Sequence, residues 1–291
     1  MLDAVVLMGH GSRDPAGAGE FLALADAVAD EPSLAGRPVE PGFLEFAGGR
    51  VPSIQQAFAR CVARGARRIA AVPAILFAGG HGAQDMPRQV ELAQRKWATL
   101  DIRLAEMIGI DDALLDRLVQ RADAAVADLP CVAADRTSLL LVTSGSAQRE
   151  ANADVFKAAR LLADRAAGYG SVEVAFLRLS RPYLQDAAQR CARLGARRVV
   201  VVPLLLNTGL LARRISRKLI WLRRQRSDLE LIEVQHVGVD PVLVSVLAKR
   251  ACEAFDGARA ARPPRTPVRL AQERCRPPWL GSVEAQEAVL A

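Results

Sequence analysis

A chain of 291 residues, 51% hydrophobic and 24% charged, is long enough to bury two ordinary cores and has the balance of a globular protein. The aromatic share of 4% disfavours a nucleic-acid surface built on base stacking, and no apolar run reaches the roughly 18 residues of a membrane span. The net charge of +7 is almost all arginine, with Lys96, Lys157, Lys218 and Lys249 the only lysines; a planar guanidinium fork suits the carboxylates or phosphates of an anionic partner as well as it suits solvent.

Strands and helices are expected to alternate. Residues 4–8 form an apolar strand, followed by a helix through about residue 29. Residues 39–44 are a second strand, and the next helix is expected from Pro52, a good first helical residue. Residues 68–73 are a third strand with a helix from Pro87; residues 102–107 are a fourth, with a helix from Asp111. Short apolar runs separated by helical periods imply an α/β fold, a parallel four-stranded sheet flanked by helices. The same series then restarts, from about residue 138 to 255. Residues 258–291 hold Arg262-Pro263-Pro264-Arg265 and Arg276-Pro277-Pro278-Trp279 without a sustained period, which reads as a loose tail whose residues 283–290 suit a turn of helix.

The restart is an internal duplication. Residues 60–73 and 190–203 are identical at eight of fourteen positions, at an offset of 130. Leu7-Met8-Gly9-His10-Gly11-Ser12 parallels Leu141-Val142-Thr143-Ser144-Gly145-Ser146, Gly42-Phe43-Leu44-Glu45 parallels Ala175-Phe176-Leu177-Arg178, and Ile108-Gly109-Ile110-Asp111 parallels Val237-Gly238-Val239-Asp240. The domains are therefore drawn at 1–130 and 135–257, with the tail at 258–291.

In open α/β sheets the functional crevice lies beyond the carboxyl ends of the strands. Three polar residues of the first copy reach that edge: His10 after the first strand, Glu45 after the second, and His81 in the loop expected after the third. Two imidazoles and a carboxylate on one rim suit a divalent iron, cobalt, nickel or zinc ion, and supply bases that titrate near neutrality. Loop-tip histidines are usually unremarkable, but the chain holds only three, and two fall in corresponding glycine-framed connections. The third, His236, aligns with Met107 inside a strand-like segment and is expected to be packed or merely polar. The second copy replaces all three candidates, with Ser144 for His10, Arg178 for Glu45 and Leu211 for His81, while keeping Gly145, Ser146, Pro203 and Gly209. That pattern makes the second half a catalytically silent wall. Its Arg213, Arg214, Arg217 and Lys218 suit holding carboxylates, though a solvated helix face explains them equally. No G-x-x-x-x-G-K-[ST] loop is present, and Gly9-His10-Gly11-Ser12-Arg13-Asp14 is a weak dinucleotide motif. Five cysteines without a C-x-x-C pair argue against a zinc knuckle or cysteine-ligated cluster.

Gly9-His10-Gly11-Ser12-Arg13-Asp14-Pro15 and Leu76-Phe77-Ala78-Gly79-Gly80-His81, followed by Asp85-Met86-Pro87, resemble the two signatures of the class II, ATP-independent chelatases of the CbiX and SirB type, over roughly residues 1–257. The resemblance implies two tandem chelatase-like domains and insertion of cobalt(II) or iron(II) into sirohydrochlorin on the way to cobalamin or siroheme. By it, His10 and His81 bind metal and accept protons, with Glu45 as their acidic partner. It implies no cofactor beyond the substrate metal and no ATP. The partners expected are the anionic tetrapyrrole and the divalent metal, with neither nucleic acid nor membrane. The stretch from Glu45 to Pro52 is three residues longer than that from Arg178 to Pro182, so the loop after Glu45 is expected to be rearranged. A cytoplasmic monomer of two pseudo-symmetric halves is expected. The alternatives are a metal-carrying or tetrapyrrole-binding protein without turnover, and a phosphohydrolase with His10 as nucleophile, which Gly9 disfavours by standing where a phosphatase motif would place arginine.

Overall fold

The computed structural model describes residues 2–46 and 52–257, with the side chains of residues 80–83 outside the description. The tail from residue 258, its expected helical turn and the inserted loop at 47–51 lie outside the described residues. The first half runs β1 (Leu2–Gly9), α1 (Pro15–Ala29), β2 (Val39–Phe43), α2 (Ile54–Ala63), β3 (Ala66–Pro73), α3 (Gly80–Lys96), β4 (Asp101–Leu104) and α4 (Asp112–Val126). The second runs β5 (Thr137–Thr143), α5 (Arg149–Ala163), β6 (Ser171–Phe176), α6 (Leu184–Arg193), β7 (Arg198–Pro203), α7 (Leu210–Gln225), β8 (Glu230–Glu233) and α8 (Pro241–Asp256). All pairings are parallel, in the orders β2-β1-β3-β4 and β6-β5-β7-β8. The expected pair of parallel four-stranded α/β sheets is the observed architecture.

The central strands explain themselves. Ala4, Val5, Val6, Leu7 and Met8 are all fully buried because β1 has a strand on each side and helices over both faces, so its apolar run does not alternate. Phe21, Leu24, Leu115 and Leu118 of α1 and α4 join Val155, Leu162, Leu243 and Leu247 of α5 and α8 in one hydrophobic cluster. The two sheets therefore lean on a shared core, while α2 and α3 cover the outer face of the first sheet and α6 and α7 that of the second.

Polar contacts cross this seam reciprocally. Arg121 of α4 donates to the carbonyl of His236 at 2.6 Å, and Arg250 of α8 donates to the carbonyls of Met107 and Ile108 at 3.2 Å. Asp240, the N-cap of α8, is almost fully buried and accepts from Arg117 at 2.8 Å and Arg121 at 2.7 Å. Burial pushes the Asp240 carboxyl upward, but the two guanidiniums and the Val242 N–H outweigh it and hold the group below its ordinary range.

Several element boundaries differ from the sequence expectation; the fourth strand, expected to run to residue 107, ends at Leu104. Helix α2 begins at Ile54, because Ser53 and Gln56 form a reciprocal capping box; Pro52 lies outside it. Helix α3 begins at Gly80, so Pro87 is an interior residue. The glycine-rich opening has poor helix propensity, but docking overrides it, with Met86 fully buried in the outer core. Strand β8 ends at Glu233, which leaves His236 outside any strand.

Candidate functional site

The carboxyl ends of β1, β2 and β3 lie in register, Gly9 opposite Phe43 and Met8 opposite Pro73, so the connections that follow them emerge together. His10 is the first residue beyond β1 and is exposed. Its carbonyl accepts from the Glu45 N–H at 2.9 Å, which extends the β1–β2 ladder one step past the strands and brings these two candidates side by side. Glu45 is half-buried. On the other side of β1, Ala74 N–H donates to the Met8 carbonyl at 2.9 Å and starts the connection into α3. His81 is not in a loop as expected: it is the second residue of α3, after the N-cap Gly79. Its backbone still stands at the same edge, since α3 starts seven residues beyond Pro73.

Close packing of main chain fixes the His10–Glu45 junction. Gly11 has φ +109°, and a Cβ there would meet the Glu45 carbonyl oxygen at 2.0 Å, so only glycine fits. Phe46, next after Glu45, has φ +54°, a conformation that costs a bulky residue energy, and Arg13 stacks over its ring at 4.6 Å. The second half repeats every part of this backbone. Arg178 N–H donates to the Ser144 carbonyl at 3.1 Å, a Cβ on Gly145 would meet the Arg178 carbonyl oxygen at 2.1 Å, and Leu179 has φ +62°. Phe43 N–H reaches the Pro52 carbonyl and Phe176 N–H the Pro182 carbonyl, both at 2.8 Å, so the flanks of the longer first-half loop match those of the shorter one.

The second half also touches the first-half edge. Asp14 caps α1 through the Ala16 N–H at 3.1 Å and is paired by its other oxygen with Arg213 of α7. Arg213 is thereby committed to the protein's own carboxylate, which neither expected reading, a ligand's carboxylate or a solvated helix face, includes. Thr208 N–H donates to Glu20, and Asn207 donates to the Gly17 carbonyl at 3.4 Å. Conversely, a Cβ on Gly79 would lie 3.4 Å from Ser146 Oγ, so the start of α3 faces the β5–α5 connection. Sequence reasoning missed these pairings, because Asp14 and Arg213 are 199 residues apart and nothing local marks them.

His236 joins the halves: its Nε2 lies 2.8 and 3.1 Å from the two carboxylate oxygens of Glu20. It is a half-buried polar residue, held against α1 by that pairing. Cys61 and Cys191, equivalent in the two halves, are buried, and burial pushes both thiols up to about 12, so they are packing groups and not nucleophiles. Among the described residues no cluster of three or more His, Cys, Asp or Glu side chains is arranged to hold a metal, a statement that excludes the His81 side chain. No helix among them is long and apolar enough to cross a membrane.

Solved structures place this architecture among the chelatases. SirB from Bacillus subtilis with Fe3+ shares 24% sequence identity at a TM-score of 0.75, over 89% of this chain and 98% of that one. SirB from Bacillus subtilis subspecies spizizenii in complex with cobalt gives a TM-score of 0.70 at 24% identity, over 89% and 97%. The fold is that of a tandem chelatase. The chain belongs to the CbiX family, whose model matches residues 4–125 and again 138–254. A sirohydrochlorin cobaltochelatase of Priestia megaterium is 30% identical over 257 residues, 88% of this chain and 81% of the relative. A sirohydrochlorin ferrochelatase of the same organism is 30% identical over 219 residues, 75% and 78% of the two chains.

Proposed function

We propose that this chain is a sirohydrochlorin chelatase, a lyase-class enzyme that inserts a divalent cobalt or iron ion into the macrocycle without ATP, with His10, His81 and Glu45 as its working groups. One observation carries the assignment of chemistry to the first half. The two sheet edges share their backbone down to individual hydrogen bonds, yet only the first has an imidazole after β1, a carboxylate after β2 and an imidazole opening α3. The named activities of the relatives support the substrate.

Insertion exchanges two pyrrole N–H protons for the metal. An imidazole binds a divalent ion reversibly and accepts a proton near neutrality, so His10 and His81 suit delivery of the ion and removal of the protons, with the Glu45 carboxylate balancing the cation. The protein's larger task is orientation of a flat, polyanionic ring, which an arginine-rich chain of net charge +7 attracts. A cytoplasmic monomer, with the second half supporting the His10 connection, completes the proposal.

The test is an absorption assay with sirohydrochlorin in excess over protein and either Co2+ or Fe2+, in the absence of nucleotide. Conversion of many equivalents per chain is expected. A spectral change that stops at one equivalent would identify a metal-carrying or tetrapyrrole-binding protein without turnover.

A further inference from the structure

The second half is basic where the first is not. Helix α7 carries Arg213, Arg214, Arg217, Lys218, Arg223 and Arg224 and no acidic residue, whereas α3, its equivalent, carries Asp85 and Glu91 among its cations. Arg213 pairs with Asp14 and Arg223 donates to the Leu231 carbonyl. Arg214, Arg217 and Lys218 are left on one stripe of the helix with Trp221, at the i, i+3, i+4 and i+7 spacing of a single face. Among the described residues no carboxylate lies within salt-bridge distance of the three cations; Lys218 reaches only Gln185 Oε1, at 3.4 Å.

This stripe lines an open groove of about 550 Å³ flanked on its other side by Gln185 of α6. A second cavity of about 270 Å³ adjoins it, sharing Gln185, Arg214 and Lys218 and adding Arg178, Leu179 and Tyr183 from the β6–α6 connection. Arg178 stands where the first half has Glu45. No acidic side chain lines either space. Trp221 and Leu179 are 55% and 61% exposed, large apolar surfaces left open beside the cations.

We infer that the crevice between α6 and α7 is a second ligand site, which takes a flat ring bearing carboxylates around its rim. The larger groove alone, about 550 Å³, falls within the roughly 300–1,000 Å³ of small-molecule sites. Guanidiniums spaced along one helix face match carboxylates spread around a rim, and the indole offers a planar surface to the ring. The choice of ring rests on the proposed chelatase function. The site begins one residue beyond Arg213, which pairs with Asp14 of the first half, and reaches the carboxyl edge of the second sheet through Arg178 and Leu179, so it is a holding place for the acidic macrocycle at that edge.

The experiment titrates the full chain, without metal, with uroporphyrin and with sirohydrochlorin at low salt, and follows tryptophan quenching and stoichiometry. R214A/R217A/K218A, whose positions are exposed or half-buried, is expected to bind one ring fewer per chain, or to weaken that ring at least ~10-fold. W221F is expected to lose most of the quench, and R224A, outside the crevice, to match wild type. Stoichiometry and affinity unchanged in the triple variant overturn the inference, even if metal insertion proceeds. A single-stranded oligonucleotide that needs the same cations and is not displaced by uroporphyrin also overturns it, in favour of a nucleic-acid surface. Loss of one ring in the triple variant of a protein that inserts no metal upholds the site and defeats the chelatase function alone.

Discussion

The carboxyl edges of the two sheets are the same structure with different chemistry. Each has a glycine where an added Cβ would stand 2.0 or 2.1 Å from a carbonyl oxygen, a ladder bond reaching one residue past the first strand, and a left-handed residue straight after it. In the first half this frame holds His10 and Glu45; in the second it holds Ser144 and Arg178. What has been retained twice is what the backbone demands, and what differs is what the backbone leaves free. On the proposed function, side chains that are exchanged while their frame persists serve chemistry and not packing.

Substitution at the first edge tests that division most severely. His10→Ala and His81→Ala are each expected to slow metal insertion by about a hundredfold to ten-thousandfold, the range for a lost acid–base group, in the spectral assay. Ser144→Ala in the second half is expected to leave the rate unchanged.

The seam between the halves gives the next largest effect. Asp240→Asn leaves Arg117 and Arg121 facing a buried neutral group and is expected to cost about 3 kcal/mol in urea unfolding, the low end for a broken buried pair because both guanidiniums keep some solvent. The carboxyl's pKa is lowered on folding, so its contribution is present above the ordinary 3.8 and is lost as pH falls through the folded-state value below it. Asp240→Asn is therefore expected to flatten the acid limb of the stability profile.

Gly11→Ala and Gly145→Ala sharpen the comparison directly. Each imposes a strained backbone and a collision, expected to cost at least ~1–3 kcal/mol and to lower the midpoints of thermal unfolding comparably. Well below those midpoints only Gly11→Ala is expected to lower the rate of insertion. Smallest is His236→Ala, which removes the pairing with Glu20: about 1 kcal/mol of stability, and no change in insertion rate.

The strands, their parallel order and the duplication were legible because buried central strands leave unbroken apolar runs, and because two copies of one frame repeat its constraints in the same order. The neighbouring positions of His10 and Glu45 followed from topology. The position of His81 was misjudged by one structural class: Pro87 resembles a first-turn residue, while the actual first turn is glycine-rich and is held by tertiary packing. The seam was not legible at all. Asp240 is 119 residues from Arg121, and Glu20 is 216 from His236, so no local pattern records either pair. The fate of Arg213 belongs with these, since an arginine looks the same in sequence whether it faces Asp14 or an open crevice.

Metal stoichiometry tests the central claim most directly. Titration of the full chain with Co2+, followed by absorption and by metal analysis after gel filtration, is predicted to give one ion per chain, lost in H10A/H81A and kept in S144A. Two ions per chain, or one that survives the double substitution, would contradict the confinement of the chemistry to the first half.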